Sequence, residues 1–153
     1  MTTAVPAASD DDFLIGPEAI DVAALLHAAA APAFGAVASF LGSVRSPNAG
    51  DTVRHIDYEG YEAMMRAEMQ RLTAEIRSRH TLGRVFVAHR LGRLHPGDVS
   101  LAVVVSSAHR GEALAALEAL VEGLKARLPV WKYEVSASGE RFVAGRSDAG
   151  PTL

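Results

Sequence analysis

The chain carries fifteen basic residues, of which thirteen are arginine, and its two lysines lie seven positions apart. Lys125 and Lys132 flank a short segment that contains Pro129. An arginine stays protonated in a protein, whereas a lysine amine can lose its proton when it is desolvated and then act as a nucleophile or a proton carrier. Alternatively, a lysine in the last turn of a helix stabilises the exposed carbonyl groups there, and a strand lysine can simply be solvated. Both interpretations are open on the spacing alone.

A second group of candidate residues lies where predicted elements begin or end. His109 and Arg110 follow an apolar strand and precede a long helix, and the free backbone N–H groups of a helix start favour an anion such as a phosphate. The alternative is a histidine that caps the helix locally and an arginine that is solvated. Arg45 lies where another predicted strand gives way to a loop. Together with the lysines, these residues suit an anionic small molecule that arginines hold and amines act on.

The overall composition excludes several classes of function. A length of 153 residues fits one domain, and the absence of cysteine excludes disulfides, thiolate metal sites and a cysteine-based sulfur relay. Any sulfur chemistry must therefore use sulfur that another molecule brings. Beyond three aspartates at 10–12, acidic and basic residues balance, which argues against a nucleic-acid binder.

Targeting, metal and cofactor motifs are also missing from the sequence. The chain has no basic and apolar leader and no run of about eighteen apolar residues, so we predict a cytoplasmic protein without membrane association. Neither a metal-binding pattern nor a glycine-rich phosphate loop is present, so the sequence predicts neither a metal nor a cofactor.

Hydrophobic periodicity predicts an α+β domain with three main helices. We interpret residues 1–12 as a disordered tail, 13–148 as a single domain and 149–153 as a flexible tail. In the first two helices, apolar residues recur at helical spacing: Ile20, Val22, Leu25 and Leu26, and then Met65, Met69, Leu72 and Ile76. The predicted buried stripe of the third helix, which Pro129 ends, is Leu114, Leu117, Val121, Leu124 and Leu128.

Strands are predicted in the remaining apolar segments. They cover 35–44, which we expect to be mostly buried, and then 53–58, 84–91, 99–105 and 130–135, with 84–91 and 99–105 pairing as a hairpin. In the last strand, alternation separates the face of Trp131 and Tyr133 from that of Lys132 and Glu134. If the aromatic face is the core, Lys132 and Glu134 point outward together.

Six short segments resemble one known family, the catalytic (large) subunits of molybdopterin synthase, or MoaE family, in both order and spacing. They are Phe40-Leu-Gly-Ser-Val-Arg45, Glu59-Gly-Tyr-Glu-Ala-Met64, His89-Arg-Leu-Gly92, Pro96-Gly-Asp98, Ser106-Ser-Ala-His-Arg110 and Leu124-Lys-Ala-Arg-Leu-Pro-Val-Trp-Lys132. The resemblance runs from about Ile15 to Asp148 and implies an α/β hammerhead-type fold with antiparallel strands.

The resemblance also implies a sulfurtransferase of molybdenum cofactor biosynthesis. Such an enzyme converts cyclic pyranopterin monophosphate to molybdopterin with sulfur from the C-terminal thiocarboxylate of a small ubiquitin-like carrier subunit, whose Gly-Gly tail enters the site. The family forms a homodimer of large subunits within a heterotetramer. The alternative that we keep is a non-catalytic module that binds a ubiquitin-like tail.

Carried over to this chain, the family's catalytic lysines match Lys125 and Lys132, with Lys125 beside the terminal glycine of the carrier. Arg45, His109 and Arg110 match positions that bind the pterin and its phosphate.

Further substrate-binding positions are implied at Ser43, Val44, Tyr133 and Glu134, and Arg146 matches an arginine that reaches the site of the neighbouring subunit. Ser43 stands where family members often have lysine, and Tyr133 where some have arginine. Both departures reduce the local positive charge.

Overall fold

A computed structural model describes residues 11–143, which contain eight strands and three helices. The helices are α1 (Val22–Ala29), α2 (Glu62–Arg77) and α3 (Arg110–Arg127). The strands are β1 (Asp11–Gly16), β2 (Ala36–Ser43), β3 (Val53–Gly60), β4 (Val85–Arg90), β5 (Gly92–Leu94), β6 (Val99–Ser107), β7 (Val130–Ser136) and β8 (Gly139–Val143).

The strands form two four-stranded sheets. The first has the order β1-β4-β6-β2, in which β1 runs parallel to β4 and the other neighbours are antiparallel. The second, β5-β3-β7-β8, is antiparallel throughout. The predicted antiparallel pairing of β4 with β6 is confirmed, although β5 between them in the chain belongs to the other sheet. The predicted α+β class with three helices is confirmed as well.

The core lies on both faces of the first sheet, whose central strands β4 and β6 are covered on each side. On one face, Leu25 of α1 packs in a cluster with Phe86. On the other, Met65 and Met69 of α2 pack in a larger cluster with Val87, so the apolar residues at helical spacing form the buried face of this helix. Each buried side chain of this size stabilises the fold by about 1.5–3 kcal/mol, so these layers hold the sheets in place.

Two predictions of burial are wrong. Strand β2 is an edge strand of its sheet and not mostly buried: it turns Val37 and Leu41 outward, because only one of its faces meets the core. In α3, Leu114 is 56% exposed. Leu124 and Leu128 are buried as predicted, and Leu117 and Val121 are partly buried against the core. The buried face of the helix also includes Ala113, Ala116 and Leu120, which were not predicted. Small alanine side chains let a helix approach a sheet closely, and a search for large apolar residues overlooks them.

The predicted end of the N-terminal tail at residue 12 is also wrong. Asp11 and Asp12 already belong to β1, where they pair with Val85 and Phe86, and the Asp11 carboxylate forms an ion pair with Arg77 of α2. Residues 1–10, the predicted domain end at 148 and the tail 149–153 lie outside the described residues.

Candidate active site

The inward face of β7 carries Lys132 and Glu134, which corrects the predicted orientation of this strand. Lys132 is 8% exposed and Glu134 is buried, whereas Trp131 and Tyr133 are each 42% exposed. The register explains this arrangement, because Lys132 lies directly opposite the buried Tyr58 of β3. Residues paired in this way share one face of the sheet. The lysine and the glutamate therefore point into the protein, and the aromatic face points outward.

Burial changes the acid–base behaviour of Lys132. Removal from water and the positive charges of Lys125 and Arg45 together lower the pKa of Lys132 to about 8, although the carboxylate of Glu134 opposes this shift. Burial disfavours the charged form of an amine, and neighbouring cations act in the same direction. These effects on Lys132 place Lys125 and Arg45 in its neighbourhood.

Lys125 reaches this neighbourhood from the last turn of α3. Its Nζ atom lies 5.6 Å from the centroid of the Phe40 ring, a cation–π contact that fixes the direction of the long side chain. Phe40 belongs to β2, and the chain leaves α3 through Leu128 and Pro129 directly into β7. The short connection explains why two lysines seven residues apart approach each other.

Glu134 anchors the loop that carries Arg45. The Asn48 side-chain amide donates to Glu134 Oε2 at 2.8 Å, and Ser136 Oγ donates to Glu134 Oε1 at 3.0 Å. Arg45 in turn donates from Nη2 to Asn48 Oδ1 at 3.2 Å. This chain of bonds runs from the inward face of β7 to an exposed guanidinium, so Glu134 acts on Arg45 through Asn48.

The other predicted residues of the β2 end and of β7 have different environments. Ser43 is exposed at the end of β2, beside a register irregularity. The Val44 side chain is buried in the core, and its backbone N–H donates to the Asp98 carbonyl at 2.9 Å. Tyr133 lies on the opposite face of the sheet from Lys132. Of these three residues, only Ser43 presents an exposed side chain beside Arg45.

His109 and Arg110 are not brought to the lysines within one copy of the chain. Both are exposed at the start of α3, where His109 is the N-cap and makes no side-chain capping bond. Arg110 begins the helix and Lys125 lies fifteen residues further along it, a separation of about 22 Å at ~1.5 Å per residue. Arg146 lies outside the described residues.

The sequence did not identify two polar residues beside Lys132. The sequence assigned no role to His89 or Tyr58, yet their rings lie 5.5 Å apart, centroid to centroid, and Tyr58 faces Lys132 of β7. They come from different sheets, so no spacing along the chain indicates the contact. Among the described residues, no three acidic or histidine side chains converge as a metal site requires. None of the described helices combines the length and the apolar run needed to cross a bilayer.

Fold and site together define a class of protein: an α+β domain that sets a buried amine beside a second amine and an arginine. Such a site can hold an anionic ligand and exchange a proton with it.

Comparison with known proteins identifies the family. The model of the MoaE protein family matches residues 15–127. A molybdopterin synthase catalytic subunit from Haemophilus ducreyi is 44% identical over 112 residues, which cover 73% of this chain and 74% of that protein. The chain therefore belongs to the MoaE family, which confirms the resemblance of its motifs.

Solved structures agree with this assignment. The structure of molybdopterin synthase from Staphylococcus aureus matches with a TM-score of 0.82 at 28% identity, covering 87% of this chain and 97% of that chain. A complex of subunits 1 and 2 of molybdopterin-converting factor from Helicobacter pylori matches with a TM-score of 0.72 at 26% identity, covering 91% and 93%.

Proposed function

We propose that this chain is the catalytic subunit of a molybdopterin synthase, which transfers sulfur from a thiocarboxylated carrier subunit to cyclic pyranopterin monophosphate. The observation that carries the proposal is the buried Lys132 amine, with a pKa of about 8, beside Lys125 and Arg45. The named relatives support the reaction. A chain without cysteine also fits a reaction in which the carrier brings the sulfur.

The residues divide into those that hold charge and those that move a proton. Arg45, tied to Glu134 through Asn48, holds the anionic part of the pterin. Lys125, directed by Phe40, meets the C-terminal thiocarboxylate of the carrier and stabilises negative charge as the sulfur attacks. Lys132 takes up and returns the proton, because its amine is the group that changes protonation near neutral pH.

A second copy of the chain supplies the remaining anion-binding groups. His109 and Arg110 are too far from Lys125 to act within one copy, so in a homodimer they serve the site of the neighbour, as we also propose for Arg146. The Helicobacter pylori structure is a complex of two different subunits. By analogy, this homodimer binds one small carrier subunit at each site, giving a heterotetramer, and works in the cytoplasm.

Reconstitution tests the proposed function. The protein is mixed with thiocarboxylated carrier and cyclic pyranopterin monophosphate, and molybdopterin is followed by the fluorescence of its oxidised derivative. Wild type should form product, and Lys125→Ala should lower the rate by at least about a hundredfold, because a charge aimed at the reacting group is lost. Arg79→Ala, which removes an exposed cation just beyond α2, is the matched control and should keep wild-type turnover.

Two results would contradict the proposal. Near-normal turnover of Lys125→Ala would remove the assigned role of that lysine. Carrier binding by the wild-type protein without any turnover would instead favour the alternative function, a non-catalytic module for a ubiquitin-like tail. Carrier binding is measured separately, by calorimetry, so that the two cases are distinguished.

A further inference from the structure

His89 is held rigidly at the end of β4. It is 6% exposed, and its Nδ1 atom lies 2.9 Å from the carbonyl oxygen of Arg90. Because a carbonyl oxygen only accepts, Nδ1 carries the hydrogen, and this bond fixes both the tautomer and the plane of the ring. The imidazole is therefore an oriented group inside the protein.

Tyr58 joins His89 to the strand that carries Lys132. The two rings meet edge to face, with their planes inclined at 68°. Ser100, whose Oγ donates to the Gly42 carbonyl at 3.2 Å, lies beside Tyr58. Since Tyr58 lies directly opposite Lys132 in the β3–β7 ladder, the two rings lie beside the Lys132 side chain on the inward face. Strands from both sheets thus contribute to one wall.

We propose that His89 is a positioning residue for the sulfur transfer: with Tyr58 it forms a neutral wall that keeps water away from the Lys132 amine. The Arg90 carbonyl accepts from Nδ1, and the Tyr58 ring packs against the imidazole at 5.5 Å between centroids. Since Tyr58 faces Lys132 across the ladder, this packing places His89 on the same inward face as the lysine. This inference rests on the proposed function in so far as Lys132 carries the proton.

The charge state of His89 supports this role. Burial and the positive charge of Lys132 together lower the pKa of His89 to about 4, although the bond to the Arg90 carbonyl opposes this shift. Above pH 5 the ring is therefore neutral and offers Lys132 no charge. The charged or titratable groups around Lys132 come from several elements: Lys125 on α3, Arg45 after β2, Glu134 on β7, Tyr58 on β3 and His89 on β4.

The two lysines of the chain make a direct test possible. Protein labelled with ¹⁵N- and ¹³C-lysine gives side-chain NMR signals from Lys125 and Lys132 only, and Lys132→Arg assigns them. In His89→Asn, the shorter side chain keeps an N–H donor for the Arg90 carbonyl but opens the wall to water. The pKa of Lys132 should then rise from about 8 towards the ordinary lysine value of about 10.4.

His89→Phe is the matched variant, because it keeps a ring in the wall while removing both nitrogens. In this variant the Lys132 titration should stay close to that of wild type. His55→Ala, which removes a histidine on the outward side of the second sheet, controls for general effects and should leave both lysine titrations unchanged. Turnover at pH 7 should fall about tenfold for each unit by which the Lys132 pKa rises.

The proposal is overturned if His89→Asn leaves the Lys132 titration at its wild-type position, or if His89→Phe raises it as much as His89→Asn does. Should His89→Asn not fold, His89→Gln is judged by the same criterion. The NMR measurement needs no substrate, so its failure would leave the sulfur-transfer function standing. Conversely, a raised Lys132 pKa without any change in turnover would show that the wall exists but does not serve the reaction, which also rejects the positioning role.

Discussion

Lys132 is one of only two lysines in the chain, and its side chain is largely removed from water. Burial makes the charged form of this amine less favourable, so the pKa of Lys132 is about 8, compared with about 10.4 for a solvated lysine. The carboxylate of Glu134 raises this pKa, whereas the positive charges of Lys125 and Arg45 lower it. An arginine here would remain charged under the same conditions, so the choice of lysine makes sense where a proton has to leave.

The pH dependence of turnover should follow Lys132. Below pH 8 the amine is mostly charged and cannot accept a proton, so turnover of the wild type should rise as the pH increases through about 8. Lys132→Arg keeps the positive charge but cannot release its proton, so this rise should disappear and turnover should fall by about 10²–10⁴-fold. Initial rates between pH 6.5 and 9 check both statements.

A wild-type profile that stays flat between pH 7 and 9 would contradict the assignment of the proton to Lys132. Lys132→Arg with near-normal turnover would show that the positive charge alone suffices. Carrier binding measured at each pH serves as the control, because it separates weaker docking from slower chemistry.

At this scale, residue types and spacing located Lys125, Lys132 and Arg45 but not their surroundings. The expectation that the aromatic face of β7 points inward was wrong. It rested on the rule that a strand with aromatic residues on one face and charged residues on the other normally buries the aromatic face. Which face is inward depends on the neighbouring strands. His89 and Tyr58 were missed for a related reason: their contact joins two sheets, and no local pattern encodes it.

At the scale of elements, α3 positions the site by packing closely against its neighbours. Its buried face is mostly alanine and leucine, and Gly123 meets the side chain of Leu72 from α2. A methyl group placed on Gly123 would lie 2.6 Å from a terminal carbon of the buried Leu72 side chain. The two helices are therefore closer at this point than an alanine allows. Lys125 lies only two residues further along α3, in its last turn.

Alanine substitutions at the two glycines of α3 should have opposite effects on stability. At Gly111 nothing lies within 4 Å of an added methyl group, so Gly111→Ala should raise the free energy of unfolding by about 0.5–1 kcal/mol through reduced backbone entropy in the unfolded chain. At Gly123 the same gain is outweighed by overpacking, which costs about 1–3 kcal/mol. Urea denaturation of both variants measures the difference, and equal gains at both positions would disprove the close packing.

Periodicity predicted the existence of the elements better than their surroundings. The methionine stripe of α2 was predicted correctly, since large apolar side chains at helical spacing give an unambiguous signal. The small alanines of α3 do not stand out in a hydrophobic pattern, so the prediction overlooked them and wrongly placed the exposed Leu114 in the core. The partner of Asp11 is Arg77, sixty-six residues away, so the ordered start of β1 was not visible in the composition of the first twelve residues.

At the scale of the whole molecule, one copy of the chain separates groups that the proposed reaction needs together. His109 and Lys125 lie at opposite ends of a continuous helix, and a helix does not shorten by the ~20 Å required to join them. A symmetric dimer resolves the separation, because each copy can place its helix start beside the lysines of the other. In this proposed dimer, each of two equivalent sites would take groups from both copies.

Mixing two inactive variants tests this shared site. Lys125→Ala and His109→Ala homodimers should each lose most of their turnover, since every site in them lacks one group. After subunit exchange, half of the dimers carry one of each variant, and such a dimer contains one doubly altered site and one intact site. The mixture should therefore recover about a quarter of wild-type turnover. Differently tagged variants, purified in sequence over both tags, confirm the exchange and should approach half of wild-type turnover per dimer.

If all necessary groups instead came from one copy, each site in the mixed dimer would still lack either the lysine or the histidine. Turnover of the doubly tagged dimer would then equal the mean of its inactive parents, and His109 would have to act elsewhere on the surface. Recovery in the mixture has no comparable explanation within a single copy, because neither variant contains both residues. The experiment thus decides between a site within one chain and a site between two without requiring the position of the substrate.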